Sequence, residues 1–485
     1  MELPTATTLN GAISHVTSSD ARVNFFFKIT RDLTAPVLEE FLAAAWEENP
    51  LDTLKLIFHL RDCRGGKGEK KQFQNALRWL VENHRDALLI NLKNVPEFGY
   101  YKDLLTLGDT TAEGPALRIL ADRLEQDKKL LTEGEDLTSI SLAAKWAPTE
   151  GCFHDKKFNA TSKLSTMMNL RKVHYRKNVI VPLRNHLRIV ERKMCDGDWE
   201  NIDFAKVPSV AMKRYAKIFK KHSPERYQAF LAAVKKGQTK MNVGRLHPHE
   251  IVGQYLKDGV EPQREVDEMV EVQWSEYLRQ LKERIQLKGS LAVVDVSGSM
   301  SGTPIKVAMS LGLVLAELTE GPFHNKWITF SNKPTLEQLK GTTLHEQLQN
   351  MSQASWDMNT DLQAVFTLLL ISAEVFSCTQ EQMPKTIFIF SDMQFDKACK
   401  NKRTNFEAIE RKYEKAGYQM PRLVFWNIKS DNLDFPVKAD TPHVALVSGF
   451  SPDLLELFLD GDDLTPYGYM RKAIDNKRYD CITLQ

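Results

Sequence analysis

The sequence predicts a multidomain α and α/β protein, in which an N-terminal array of short helices is followed by a doubly wound, Rossmann-like α/β domain. Three observations carry that expectation. From about Leu33 to Lys288 apolar residues recur at three- and four-residue spacing between short Gly-, Pro- or Asp-containing turns, the pattern of packed amphipathic helices. From about Gly289 onward, short β-branched apolar runs alternate with helical stretches, the pattern of a parallel sheet wound with helices. The chain has 485 residues, 42% of them hydrophobic and 26% charged. At roughly 100–200 residues per domain it can build two to four separate cores.

In chain order, residues 1–24 read as a flexible N-terminus and 25–288 as a helical-repeat domain. Within it, helices are expected at 36–48, 51–61, 71–81, 117–130, 180–194 and 210–219. Pro36 stands at a plausible first helical position with acids close behind it. No fixed-period repeat is visible, so a stacked, HEAT-like hairpin array and a simple bundle both remain open. Residues 289–460 form the α/β domain, with strands at 291–295, 326–330, 386–390, 423–428 and 444–447. Its helices are expected at 305–318, 362–376, 406–416 and 452–459. Residues 461–485 form a tail that is a further helix candidate.

Composition narrows the function classes. No apolar run of about 18 residues is present, so a membrane span is not expected. Met1 to Ser19 lacks the basic-then-apolar order of a secretory signal. The six cysteines (Cys63, Cys152, Cys195, Cys378, Cys399 and Cys481) never form a Cys-x-x-Cys pair, which points to a reducing, cytoplasmic setting. The formal charge of +2 conceals an asymmetry: residues 151–250 hold 22 Lys and Arg against 8 Asp and Glu, a local excess of +14. A block of that size can collect a polyanion even on a nearly neutral chain.

At the end of the first strand, Asp295-Val-Ser297-Gly-Ser299 places a carboxylate and two hydroxyls on alternate residues of one tight loop. Asn359-Thr360-Asp361 opens a mid-domain helix, and the strand through Phe390-Ser391 ends in Asp392. In a doubly wound sheet, ligands bind beyond the carboxyl ends of the strands. Asp295, Ser297, Ser299, Thr360 and Asp392 together offer the oxygen donors that Mg²⁺ or another hard divalent cation takes. The set resembles the metal-ion-dependent adhesion site of von Willebrand factor A domains. That resemblance implies direct ligation by Ser297, Ser299 and Thr360, water-mediated contact by Asp295 and Asp392, and an acidic oxygen from a protein partner completing the shell. Two competing readings are that the residues merely cap helices and turns, or that the fold is kept and the site stays empty.

Enzyme motifs are weaker. Position 297 is Ser, where a haloacid-dehalogenase-type phosphatase needs Asp. Met300 occupies the centre of Gly298–Gly302, so a nucleophile elbow is not formed. The stretch Arg64-Gly-Gly-Lys-Gly-Glu69 lacks the leading Gly and the trailing Ser or Thr of a phosphate loop. Cys152 and His154 have no second ligand pair. A non-enzymatic protein is expected.

The basic block falls into two clusters, with Arg171, Lys172, Arg176, Lys177, Arg184, Arg188, Arg192 and Lys193 in the first and Lys213, Arg214, Lys217, Lys220 and Lys221 in the second. Tyr175, Tyr215, Phe219 and Tyr227 are interleaved. Cations displace counterions from a phosphate backbone, and exposed aromatics stack on unpaired bases. Arg171, Lys172, Tyr175, Arg176, Lys177, Arg184, Arg188, Lys213, Arg214, Lys217, Lys220 and Lys221 are therefore the candidate nucleic-acid contacts. The competing reading is a solvated helix face with the aromatics in the core, Phe219 above all.

A helical array before a von Willebrand A domain is similar to the TROVE architecture of the Ro autoantigen. More closely, the chain resembles a TROVE-like family found in plants, fungi, protists and large viruses. The likeness is carried by Arg61 to Glu69, Gly99-Tyr-Tyr-Lys-Asp103, Ala144-Lys-Trp-Ala-Pro148, Tyr175-Arg176, Pro182-Leu-Arg184 and Val424-Phe-Trp-Asn427. It implies an RNA-binding ribonucleoprotein scaffold for single-stranded or small structured RNA. The alternative is a protein–protein module that captures an acidic residue through the metal.

Overall fold

The computed structural model describes residues 4–134, 136–256, 259–262, 265–330, 333–354, 360–396, 404–429, 433–460 and 465–485. Its C-terminal half is organised by one six-stranded sheet, and strand alternation explains how the rest of the chain is attached to it. A hairpin, β1 (Thr5–Thr7) and β2 (Ile13–His15), opens the chain. The sheet follows much later as β3 (Ser290–Val294), β4 (Lys326–Thr329), β5 (Leu336–Gln338), β6 (Thr386–Ser391), β7 (Arg422–Asn427) and β8 (Val444–Ser448). The spatial order is β8-β7-β6-β3-β4-β5, all neighbours parallel except the antiparallel pair β4 and β5.

Every residue of β3, β6 and β8 is buried, as expected for parallel strands covered on both faces. Because side chains alternate, one face presents Leu291, Val293, Ile387, Ile389, Leu423, Phe425, Val444 and Leu446. These share a core with the N-terminal helices Ala21–Lys28, Ala35–Glu48, Pro50–Arg61 and Lys70–Asn83, and with Leu362–Val375 and Asn405–Ala416. The opposite face presents Ala292, Val294, Phe388, Phe390, Val424, Trp426, Ala445 and Val447. It shares a second core with Thr303–Leu318 and with Ser209–His222, Pro224–Lys235 and Glu268–Lys282. Between these two sets in chain order, helix Glu113–Glu133 and the short helices to residue 187 keep a third core of their own. The helical half thus leaves one face of the sheet and returns to the other, and the arc it makes borders a cavity of about 1600 Å³.

Long-range contacts lock the two halves together. The Lys67 ammonium is buried and donates to Ser448 Oγ (2.7 Å) and to the Phe26 carbonyl. Asp62, with no solvent exposure, takes the Arg478 guanidinium (Nη2 at 2.8 Å) and the Tyr479 hydroxyl (3.1 Å). The N-terminal hairpin crosses to the sheet domain, where His15 and Phe435 exchange backbone hydrogen bonds of 2.8 Å and Thr8 Oγ1 donates to the Phe395 carbonyl at 2.7 Å.

Several expectations are corrected. Residues 4–24, expected to be flexible, hold that hairpin and the start of a helix N-capped by Asp20; the Thr8 hydroxyl bonds the Phe395 carbonyl and the Ser18 carbonyl accepts from Ala439 N, partnerships that composition does not reveal. The helix expected at 180–194 is two, Val181–His186 and Val190–Cys195. Arg188 adopts φ +48°, and Ile189 N bonds back to Arg184 O, a left-handed helix stop made with Arg where Gly is the usual signal. Residues 452–459 form a 3₁₀ helix, Pro452–Phe458, and the edge strand β5 was not foreseen because its pattern is exposed–intermediate–exposed. Asn359 and Cys399 lie outside the described residues; the other five cysteines are free thiols.

Candidate functional site

The first candidate site lies where β3 and β6, adjacent parallel strands, end side by side. Asp295 follows β3 with no solvent exposure. One carboxylate oxygen accepts the Ser297 N–H (2.9 Å), and the other accepts the Ser391 hydroxyl (2.6 Å). The turn that follows brings the Ser297 and Ser299 hydroxyls to 3.0 Å from each other. Asp392, after β6, is also fully buried; its Oδ1 accepts from Gln394 N (3.2 Å), while Oδ2 has no hydrogen-bond partner among the described residues. Thr360 joins through the same loop. Its hydroxyl donates to the Gln394 carbonyl (2.6 Å), and its N–H donates to Asp396 Oδ2 (2.8 Å). Asp361 beside it serves as helix cap, accepting from Ala364 N at 3.0 Å.

Burial, and then the charge of Asp392, push the Asp295 carboxyl up to about 6. Two buried carboxylates that repel one another, one of them with an unpartnered oxygen, are poorly satisfied by protein alone. The donor set of two carboxylates and three hydroxyls fits a hard divalent cation. It includes no imidazole, and the neighbouring Asp396 carboxylate is engaged by Thr360; among the described residues no group of three or more His, Cys, Asp or Glu side chains could hold a metal ion. Two neighbours modify the set. The Asn10 amide, from the N-terminal hairpin, donates to Thr360 Oγ1 at 3.3 Å, taking one of that oxygen's two lone pairs. Lys429 Nζ donates to the Ser299 carbonyl at 2.9 Å, which sets a positive charge at the rim.

The second candidate site is the cavity. Among the described residues it is lined by twelve Lys and Arg against five Asp and Glu. Of the expected nucleic-acid contacts, it gathers Arg176, Arg184 and Arg214. Arg171, Lys177, Arg188, Lys217, Lys220 and Lys221 are exposed elsewhere, and Lys172 is half-buried. Lys213 is half-buried and paired with Glu250 at 3.8 Å. Tyr175 is corrected outright: it has no exposure, and its hydroxyl donates to the Pro148 carbonyl (3.1 Å), so its ring cannot stack on a base. Arg184 is partly structural, bonding the Ala144 and Ala147 carbonyls at 2.9 Å each. Phe219 and Tyr227 are buried in the core.

Sequence reasoning missed most of the lining. Arg64, Lys70, Lys102, Lys145, Arg245 and Arg284 reach the cavity from outside the two basic clusters, and the first four lie in a stretch whose net charge is negative. The one available signal was in the stretches that carry the family likeness: Arg61 to Glu69, Gly99 to Asp103 and Ala144 to Pro148 all arrive at this wall. The glycine-rich loop is a fold device. A Cβ on Gly66 would stand 2.3 Å from the His59 carbonyl oxygen, and Gly66, Lys67, Gly68 and Glu69 return backbone N–H bonds to residues 59–62.

Comparison with known proteins follows the same division. The family described as a domain of unknown function, DUF2828, matches residues 8–118 and 115–287, and a second such domain, DUF7788, matches 289–478. The uncharacterized protein L728 of Acanthamoeba polyphaga mimivirus is 31% identical, over 96% of this chain and 87% of its own length. Among solved structures, the Ro (RSR) protein of Deinococcus radiodurans aligns over 92% of this chain and 99% of that one, at 15% identity and a TM-score of 0.46. On the family match and the mimivirus relative, the chain belongs to the DUF2828 family, with a DUF7788 domain at its C-terminal end.

Proposed function

We propose that the protein is a non-enzymatic RNA-binding scaffold whose cavity holds a strand of RNA and whose sheet domain carries Mg²⁺ at the strand ends, in the manner of a von Willebrand A domain. The observation that carries the RNA reading is the excess of twelve cationic over five anionic side chains around one cavity of about 1600 Å³. Small-molecule pockets run to about 300–1,000 Å³, so the occupant is larger. Concentrated positive charge binds polyphosphate by releasing its counterions. Among the described residues no helix is long and apolar enough to cross a membrane, and a cytoplasmic setting belongs to the same reading. The test is binding of labelled single-stranded RNA across a salt series, where a steep fall with salt is expected. Absent or salt-independent binding removes the proposal.

A second reading concerns the metal site. Bound Mg²⁺ would supply a charge that the neutral hydroxyls of Ser297, Ser299 and Thr360 leave incompletely balanced, inviting an acidic oxygen from a partner protein. The unpartnered Asp392 Oδ2 and the ammonium of Lys429 at the rim favour it. Partner capture that is unchanged by chelator and by Asp295→Ala would discard it.

A further inference from the structure

We infer that the cavity wall at Tyr100 and Trp146 is a subsite for one unpaired nucleobase, with Lys102 and Lys145 taking the neighbouring phosphates. The inference rests on the RNA reading above and assigns it to particular side chains.

The two rings lie together, centroids 5.0 Å apart and planes 34° apart. Both line the cavity and keep part of their surface exposed. Each is held from behind by groups that do not move easily. Tyr100 N bonds to Asp103 Oδ2 (3.0 Å), and the same oxygen takes Arg61 Nε at 2.8 Å in a buried ion pair. The guanidinium of Arg61 also lies 5.1 Å from the Tyr100 ring centroid. Gly99 makes the close approach possible, because a Cβ there would meet Asp103 Oδ2 at 2.3 Å and Arg61 Nε at 2.8 Å. Trp146 closes the turn Ala143–Trp146, whose two alanines are fully buried, and Arg184 clamps the Ala144 and Ala147 carbonyls on either side of it. The platform is therefore rigid before any ligand arrives, which lowers the ordering cost of binding.

Its surroundings suit a nucleotide better than any uncharged aromatic ligand. Lys145 Nζ sits over the Trp146 ring, 5.4 Å from its centroid; a base entering there displaces this cation toward a phosphate of the same nucleotide. Lys70 and Lys102 line the same wall. Burial pushes the Lys70 ammonium down, Asp103 offsets this, and Lys102 and Arg61 push it down further, so these cations crowd one another and an anion relieves them. Bases in a duplex are already stacked and paired, so a stacking wall flanked by cations selects unpaired nucleotides. The cavity is too large for a mononucleotide alone, which makes a strand the occupant.

The test uses the full chain and anisotropy of a fluorescent single-stranded RNA hexamer, with a blunt RNA duplex and uridine monophosphate as competitors. Trp146→Ala is expected to weaken the hexamer about 10- to 100-fold, while Trp146→Phe retains most of the affinity and duplex binding does not change. Lys102→Glu, on a half-exposed side chain, is expected to weaken the hexamer even if Trp146→Ala does not fold. Displacement of the hexamer by the monophosphate at equal concentration would overturn the strand assignment. Wild-type affinity in both Trp146→Ala and Lys102→Glu, with Arg214→Glu still weakened, would overturn the subsite and leave the cavity reading standing. Failure of the wild-type protein to bind the hexamer at all would remove both.

Discussion

Asp392 Oδ2 lies buried and without a hydrogen-bond partner among the described residues, in the electrostatic field of the equally buried Asp295. The pair is expected to make metal-free protein less stable than a single carboxylate would. Asp392→Asn should raise the melting temperature in chelator and abolish the further rise that Mg²⁺ gives the wild type. A hundredfold excess of Mg²⁺ over its Kd corresponds to about 2.7 kcal/mol of stabilisation. Thermal melts with and without Mg²⁺ read both effects, and a wild type indifferent to Mg²⁺ sinks the metal reading.

Charge reversal should sort the basic residues by place. Arg176→Glu and Arg214→Glu, on the cavity wall, are expected to weaken RNA across sequences and to reduce the slope of log K against log salt by about one each. Lys220→Glu and Lys221→Glu, exposed away from the cavity, should change both far less. Equal losses in the two pairs would mean that the outer helix face is the binding surface.

Asn10 tests the link between the N-terminal hairpin and the third loop of the metal site. Its amide holds both Thr360 Oγ1 and the Gln394 carbonyl (2.8 Å). Asn10→Ala frees a lone pair of Thr360, so Mg²⁺ affinity measured by calorimetry should rise several-fold. Unchanged affinity would show that Thr360 is not a ligand.

Lys67 gives a pH dependence with a defined sign. Burial pushes its ammonium down to about 7, with Glu69 opposing. The neighbouring His59, itself buried and pushed down to about 3 by burial and by Lys67, adds no charge in this range. Between the folded value and the ordinary lysine value the unfolded chain binds the extra proton, so stability rises with pH from about 7 upward, by at most about 1.4 kcal/mol per pH unit. Below pH 7 the cost of the buried charge is felt in full. Urea unfolding of wild type and Lys67→Met at pH 6, 7.5 and 9 should show a smaller rise in the variant, where Lys28, likewise buried and pushed down to about 7, still contributes its own.

Arg478→Ala should destabilise the fold by about 3 kcal/mol, since it strips the cation from the fully buried carboxylate of Asp62. Adding Asp62→Asn should recover part of the loss, and a urea midpoint unchanged by Arg478→Ala would refute the argument.

The sheet domain was readable because Leu291 to Val294 and Ile387 to Phe390 are continuous apolar runs, which between helical stretches read as buried parallel strands. The strand-end residues were readable for the same reason, since Asp295 and Asp392 simply follow those runs. The cavity was not. Arg64, Lys102 and Lys145 come from a turn and two single-turn helices far apart in sequence and within an acidic stretch, and only the arc of helices brings them to one wall. Tyr175 misled because an aromatic among cations looks alike whether it faces solvent or, as here, fills a core.

The two ends of the chain are crossed: residues 5–15 rest on Phe395, Asp396 and Phe435, while Arg478 and Thr483 rest on Asp62 and Asn91. During synthesis, which runs from the N-terminus at about 5–20 residues per second, the opening hairpin has no landing place until the ribosome has passed Phe435. It must wait on the order of half a minute or more as a nascent tail. The helical half likewise stays unclasped until Arg478 and Thr483 have emerged, so deleting either residues 5–15 or that segment should be felt at the far side of the molecule.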